Sequence, residues 1–216
     1  MNNNYLYICN TNVLDNKEVY EKAYNSLSKQ RKEKVDKFKF LKDKKLSILS
    51  EVLLKKAFNS LNINSSFNYK YNKQGKPYLE DIDSIKFNIS HSGDYAICLL
   101  SKDEVGCDIE EIKNINLNIA NKFFYNTEYT SIFNSSNKID TFYRYWTLKE
   151  SFIKSLGLGL SLDLNSFEIL LNDPISVKQS INNNKYYFKE IDIQGYKCSL
   201  CLLNDVDIKI INIDSI

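Results

Sequence analysis

The sequence predicts a mixed α/β fold made of two similar halves, each a small sheet packed with helices. Helical spacing of apolar residues is followed by strand-like alternation twice along the chain. A length of 216 residues is long for one minimal domain and short for two unrelated ones. We therefore expect an N-terminal half over 1–105 and a C-terminal half over 106–216, joined in one compact unit.

The elements of the first half follow from the spacing of its apolar residues. Helices are predicted over 17–28 and about 31–61, the second being basic at its start and apolar later. The tetrapeptide Gln74-Gly75-Lys76-Pro77 predicts a turn. Alternating or β-branched runs predict strands over 5–9, 67–71, 85–89, 95–100 and 105–109.

The second half repeats this order of helices before strands. Helices are predicted over 117–134 and 138–156, and Gly157 and Gly159 end the second one. The remaining apolar runs predict strands over 167–171, 186–193, 196–203 and 208–211.

Composition excludes several classes of protein. Hydrophobic residues make up 43% and charged residues 26%, close to globular averages, which disfavours disordered, collagen-like and coiled-coil chains. No apolar run approaches the roughly 18 residues of a membrane helix, and the start lacks the features of a secretory signal. Five cysteines, an odd number, then predict free thiols in a reducing cytoplasm. The Cys198-x-x-Cys201 pair lies in a predicted strand, where residues three apart face opposite sides, so we expect a structural role rather than a metal site.

Charge is unevenly distributed along the chain. Residues 29–45 hold nine Lys or Arg and three Asp or Glu, a local charge of +6, while the whole chain carries +2. This segment predicts a site for a phosphorylated ligand, and a solvated helix face is the alternative. A third interpretation is a nucleic-acid binder, which would show steeply salt-dependent affinity. No nucleic-acid partner is expected, because regularly spaced exposed aromatic residues and a recognised motif are both missing.

Acidic residues supply the candidate chemistry of the second half. Asp108 and Glu110 lie two apart on a predicted strand, so both carboxylates share one face, and oxygen ligands of this kind suit Mg²⁺. Glu150 lies at the edge of the apolar stripe of helix 138–156, with Lys154 one turn further on. The alternatives are a solvated strand face and a surface Glu–Lys pair.

The only histidine, His91, ends a strand among small residues, where a ligand can approach the backbone closely. It can donate a hydrogen bond to a phosphate, or it can be structural. Carboxylates that bind a metal, basic residues and a histidine around a polyphosphate are together the parts of metal-assisted phosphoryl transfer.

Three segments closely resemble the motifs of the 4′-phosphopantetheinyl transferases: FNISHSG at 87–93, GCDIE at 106–110 and WTLKESFIK at 146–154. The resemblance is to the surfactin-synthetase-activating type, a pseudodimer in one chain, and extends from about residue 28 to 203. It departs at Leu46, where an arginine is common, and at Cys107, where an aliphatic residue is usual.

The resemblance implies a fold, a reaction and its partners, and it implies a monomer because one chain carries both halves. The family transfers the phosphopantetheine arm of coenzyme A to a serine of an apo acyl or peptidyl carrier protein and releases adenosine 3′,5′-bisphosphate. The pathway would be fatty acid, polyketide or nonribosomal peptide synthesis, with secondary metabolism favoured, and the carrier would dock against helix 117–134. A non-catalytic module that binds coenzyme A or a carrier protein is the alternative, and Mg²⁺-dependent turnover separates the two.

The resemblance also assigns roles to residues. Asp108, Glu110 and Glu150 would hold Mg²⁺ on the coenzyme A pyrophosphate. Glu150, Lys154 and His91 form the expected catalytic set, with Glu150 as general base, directly or through water, and Lys154 beside the pyrophosphate. The remaining expected coenzyme A contacts are the 3′-phosphate ligands Arg31, Lys34, Ser47 and His91, together with Ser90 on a phosphate and Lys76 at the nucleotide end.

Overall fold

A computed structural model describes residues 4–63, 69–80 and 82–216. Its α-helices are α1 (Lys17–Asn25), α2 (Lys29–Lys37), α3 (Leu41–Ser60), α4 (Ala120–Phe123), α5 (Asn126–Asn134) and α6 (Lys138–Leu156). Its strands are β1 (Asn4–Asn10), β2 (Tyr69–Tyr71), β3 (Pro77–Leu79), β4 (Lys86–Ser92), β5 (Tyr95–Ser101), β6 (Gly106–Glu111), β7 (Glu168–Leu170), β8 (Ser176–Lys178), β9 (Tyr187–Ile193), β10 (Tyr196–Leu202) and β11 (Ile208–Ile213).

The helices and strands confirm the predicted mixed α/β fold. The chain divides into two compact units. Unit 1 takes in the described parts of Met1–Tyr71, Pro77–Lys102 and Val206–Ile216, and unit 2 takes in Asn72–Lys76 and Asp103–Asp205. The predicted division into similar halves at 105/106 stays a prediction.

Unit 1 is built on a four-stranded sheet in the order β11-β1-β5-β4. The pairs β1–β5 and β5–β4 are antiparallel, whereas β11 runs parallel to β1 along the edge. The buried face of α3 packs against this sheet, with Leu49, Leu53 and Phe58 all fully buried. A short hairpin of β2 and β3 also belongs to unit 1.

The single helix predicted over 31–61 is wrong, because the structure has two helices with a break between them. The side chain of Ser28 caps α2 by accepting a hydrogen bond from the Arg31 amide at 3.2 Å. Phe38 and Phe40 are extended, with ψ of 137° and 138°, so the chain turns before α3 begins. The basic residues are thereby divided between a separate helix and the first turns of a buried one.

Unit 2 is built on a three-stranded antiparallel sheet in the order β6-β10-β9, against which α6 packs. Asn137 caps the start of α6 by accepting from the Asp140 amide, and Gly157 ends the helix with φ of +67°, as predicted from its position. Phe142, Phe152 and Phe167 lie in the core of this unit. A second hairpin joins β7 to β8.

Other predicted elements are confirmed with shifted ends or divided. The helix predicted over 117–134 is a 3₁₀ turn followed by α4 and α5. The three-residue strands β3 and β8 were not predicted, and part of the strand predicted over 67–71 lies outside the described residues. None of the described helices has the length and apolar character needed to cross a bilayer.

Candidate functional site

Two acidic side chains of unit 2 lie on one face of β6. Asp108 and Glu110 alternate with Ile109, which is fully buried on the other face. Asp108 is itself only 3% exposed, while Glu110 is half-buried. Across the sheet, Asp108 is paired in register with Ser199 of β10. The strand therefore places two carboxylates side by side, as predicted.

Gly106 allows α6 to approach this strand closely. A Cβ atom at position 106 would lie 1.9 Å from the backbone oxygen of Ser151 and 2.4 Å from the backbone nitrogen of Ser155. Both of those atoms belong to α6, so only glycine fits between the strand and the helix. The same part of α6 carries Glu150 and Lys154, and this contact brings them beside the carboxylates of β6.

An ion pair joins the two elements at the centre of this group. The Lys154 ammonium donates to Asp108 Oδ1 at 2.5 Å. Burial, the largest single effect, lowers the pKa of Lys154, but the charges of Asp108, Cys107 and Glu150 and the hydrogen bond to Asp108 together outweigh it, so the pKa is raised. Burial and then the charge of Asp108 raise the pKa of Glu150, with a smaller contribution from Glu110 and an opposing one from Lys154. Three carboxylates thus interact around one ammonium, and negative charge is in excess among these four groups.

The donor chemistry of the three carboxylates fits a hard divalent cation such as Mg²⁺. The arrangement is not that of a preformed metal site: within the described residues, no group of three or more His, Cys, Asp or Glu side chains is placed to hold a metal ion. Asp108 is bound to Lys154 instead. A metal ion would therefore have to compete with the Lys154 ammonium for Asp108.

The crowding of Glu150 by other carboxylates predicts that, without metal, its ionisation lowers the stability of the protein. Because the folded-state pKa of Glu150 is raised above its ordinary value of 4.5, its stabilising contribution is complete below that value and is lost as pH rises through the folded-state pKa. We expect Glu150→Gln to raise the Tm in EDTA at pH 8 by roughly 2–4 °C, measured by circular dichroism. The melt at pH 4, where the two proteins should agree, is the control, and a lower Tm of the variant at pH 8 would contradict this explanation.

Two buried contacts that sequence reasoning missed support α6. The Lys149 ammonium donates to the carbonyl oxygen of Phe167 at 2.7 Å and lies 2.9 Å from Glu128 Oε1, with both charged side chains fully buried. The hydroxyls of Thr147 and Ser199 lie 2.8 Å apart between α6 and β10. The sequence signal was a lysine and a threonine beside the apolar stripe of the helix. These contacts hold the turn of the helix that leads into Glu150.

Cations of unit 1 lie on α2 and at its boundary with α3. Partial loss of water and then the charge of Arg31 lower the pKa of Lys34, so the two cations repel each other. Ser47 on α3 is 3% exposed, and its Oγ has no hydrogen-bond partner among the described residues. An anionic ligand would relieve the repulsion between such cations and could accept a hydrogen bond from such a hydroxyl.

Ser90 and His91 lie on β4, at the edge of the unit 1 sheet. Ser90 is buried and His91 is exposed, because successive residues of a strand face opposite sides. The structure therefore does not bring these two side chains together on one face. Their expected contacts with coenzyme A phosphates stay predictions.

Lys76 is grouped with unit 2 rather than with the basic helix of unit 1. Its ammonium donates to Glu104 Oε2 at 2.6 Å and to the carbonyl oxygens of Val105 and Ser155 at 3.3 and 3.4 Å. The preceding turn is held to the end of α6 by Asn72, whose Nδ2 donates to the Gly157 carbonyl oxygen at 2.8 Å. In this structure Lys76 supports the carboxyl end of the helix that carries Glu150.

Comparison with known proteins gives consistent results along the chain. A family model described as 4′-phosphopantetheinyl transferase superfamily matches residues 104–201, and one described as 4′-phosphopantetheinyl transferase, N-terminal, matches residues 15–103. The 4′-phosphopantetheinyl transferase gsp of Aneurinibacillus migulanus is 34% identical over 204 residues, covering 92% of this chain and 85% of the relative. The 4′-phosphopantetheinyl transferase Sfp of Bacillus subtilis (strain 168) is 34% identical over 85% of each chain. Among solved structures, Thermotoga maritima holo-(acyl-carrier-protein) synthase aligns with a TM-score of 0.41 and 18% identity, over 45% of this chain and 61% of that one.

Proposed function

We infer the function from the premise that this chain belongs to the 4′-phosphopantetheinyl transferase superfamily, whose models match it from residue 15 to residue 201. The chain is a 4′-phosphopantetheinyl transferase that transfers phosphopantetheine from coenzyme A to a serine of a carrier protein. The observation that carries this conclusion is 34% identity to a transferase over 92% of the chain. The finer steps of the reaction, its metal and its residue roles are our proposal.

The chemistry is displacement at phosphorus. The serine oxygen forms a bond to the phosphorus that carries the pantetheine arm, the bond from that phosphorus to the bridging oxygen breaks, and adenosine 3′,5′-bisphosphate leaves with the bridging oxygen. Glu150 accepts the serine proton, directly or through a water molecule. The Lys154 ammonium neutralises charge that develops on the leaving bisphosphate.

Asp108, Glu110 and Glu150 would hold Mg²⁺, which supplies charge neutralisation on the pyrophosphate when it is bound. The excess negative charge around Glu150 supports this assignment. Lys154 donates to Asp108 in the structure, so its ammonium lies beside a residue that would hold the cation.

The basic residues of unit 1 would bind the 3′-phosphate of coenzyme A. Arg31 and Lys34 supply charge, and the buried Ser47 hydroxyl supplies a donor. Ser90 and His91 are proposed as further phosphate contacts, and Lys76 as a contact at the nucleotide end. These assignments rest on the motif match together with the charge of residues 29–45.

The setting of the reaction is part of the proposal. All five cysteines are free and buried, which supports a reducing cytoplasm as the place of action. We propose that the protein acts as a monomer, without nucleic acid or membrane, on a carrier protein of nonribosomal peptide, polyketide or fatty acid synthesis.

Intact-mass spectrometry of an apo carrier protein tests this function. The carrier is incubated with the protein, coenzyme A and Mg²⁺, beside a matched reaction in EDTA. We expect a gain of one phosphopantetheine unit, which EDTA prevents. Binding of coenzyme A without any mass gain on several classes of carrier would instead identify a non-catalytic binding module.

A further inference from the structure

Glu51 is a fully buried acid in the middle of the apolar part of α3. Its Oε1 accepts a hydrogen bond from the Ser28 amide at 2.6 Å and lies 2.9 Å from the Lys55 ammonium. Its Oε2 accepts from the Ser28 hydroxyl at 2.8 Å and lies 3.6 Å from Arg31 Nε. A buried charge is costly unless it is paired in this way, so the carboxylate organises the groups around it.

Arg31 is held between this carboxylate and an aromatic ring. The centre of its guanidinium lies 5.6 Å from the ring centroid of Tyr69, and its side chain is only 12% exposed. Glu51 also binds Ser28, the residue that caps α2 and accepts from the Arg31 amide. The carboxylate therefore acts on Arg31 twice, through its side chain and through the start of its helix.

We propose that Glu51 is a positioning residue for recognition of the 3′-phosphate of coenzyme A, acting through Arg31. The inference rests on the proposed function, in which Arg31 binds that phosphate. No motif of the sequence singles out Glu51, which is fully buried and acts through Arg31 rather than through a contact of its own with the phosphate.

The physical reason is preorganisation of a flexible cation. An arginine side chain has many rotamers, and fixing one on binding costs free energy that reduces affinity. Glu51 and Tyr69 fix the side chain of Arg31 before the ligand arrives. An opposing effect exists, because the negative charge of Glu51 competes with the phosphate for the guanidinium. Removal of the charge of Glu51 weakens binding of coenzyme A if preorganisation dominates and strengthens it if competition dominates. A binding experiment therefore separates the two effects.

The test compares coenzyme A with dephospho-coenzyme A, which lacks only the 3′-phosphate. Calorimetric titration gives the Kd of dephospho-coenzyme A divided by the Kd of coenzyme A. This ratio reports recognition of the phosphate whether or not transfer occurs. We expect Glu51→Gln to lower the ratio by about fivefold to tenfold through weaker binding of coenzyme A, with binding of dephospho-coenzyme A unchanged. In transfer assays the KM for coenzyme A should rise while kcat stays near that of the wild type.

Three further variants complete the test. Lys55→Gln removes the other cation on Glu51 and is the matched control, which should keep the wild-type ratio. Tyr69→Leu removes the ring from Arg31 and should lower the ratio by about threefold, and it serves if Glu51→Gln does not fold. In an Arg31→Gln background, Glu51→Gln should cause no further loss of discrimination.

Other outcomes overturn the inference. A wild-type ratio near one would show that the 3′-phosphate is not recognised, and an unchanged or increased ratio in Glu51→Gln would show that the carboxylate only competes with the ligand. Failure of the proposed function is distinguishable, since the wild type would then show no transfer with either nucleotide while the ratio of Kd values is still measured.

Discussion

Asp108→Asn should reduce the rate of phosphopantetheine transfer by at least about 100-fold, without unfolding the protein. The substitution keeps the shape of the side chain but removes the charge that binds Lys154 and that, in our proposal, binds Mg²⁺. Both the cation site and the position of the ammonium would be lost together. Initial rates at saturating coenzyme A, with a thermal melt of each protein, measure the effect.

The matched control for this variant is Asp192→Asn. Asp192 is exposed on β9 of the same sheet, so the same change of charge there should leave the rate within about twofold of the wild type. A wild-type rate in Asp108→Asn would rule out the metal assignment and the role of the ion pair.

Gly106→Ala should give the largest loss of stability among single substitutions considered for unit 2. The added Cβ would lie 1.9 Å from the backbone oxygen of Ser151, and a helix backbone cannot move aside as a flexible side chain can. We expect the free energy of unfolding to fall by about 2–4 kcal/mol, with loss of transfer because α6 is displaced from β6. Urea denaturation followed by circular dichroism measures the first effect, and the carrier-protein assay measures the second.

Gly195→Ala separates steric contact from the general cost of replacing glycine. Gly195 has φ of +79° but nothing lies within 4 Å of a Cβ placed there, so only backbone strain of about 1 kcal/mol is expected. Equal losses in the two variants would contradict the close approach of the helix as the cause.

The sequence was sufficient to predict those features that depend only on neighbouring residues, such as the ends of a helix and the faces of a strand. The helix predicted over 138–156 is α6 with both of its ends, because Asn137 and Gly157 are residues that cap helices in their own right. The shared face of Asp108 and Glu110 followed from the two-residue period of a strand, which does not depend on the rest of the fold.

The break between α2 and α3 could not be predicted from the sequence. Residues 38–40 contain neither proline nor glycine, and their neighbours favour a helix. The helices separate because Val35 of α2 and the buried face of α3 each pack within unit 1, and a single straight helix would not place both in the core. Packing of this kind is decided by tertiary structure rather than by propensity.

Contacts between residues far apart along the chain could not be predicted from the sequence either. The spacing of Glu150 and Lys154 suggested a pair within one helix, but the ammonium bonds to Asp108, 46 positions away along the chain. Glu51 gave no signal except as a single acid in an apolar run, and its partners are Arg31 of another helix and Ser28, which caps that helix. Such charges find partners only after the chain has collapsed.

The parallel pairing of β11 with β1 has a consequence for synthesis on the ribosome. The last strand of the unit 1 sheet is translated after the whole of Asp103–Asp205, so this sheet stays one strand short while unit 2 is being made. During that interval the outer edge of β1 offers unpaired backbone groups to any other nascent strand. The edge is covered only when residues 208–213 pair with β1, so the sheet is completed after unit 2 has been made.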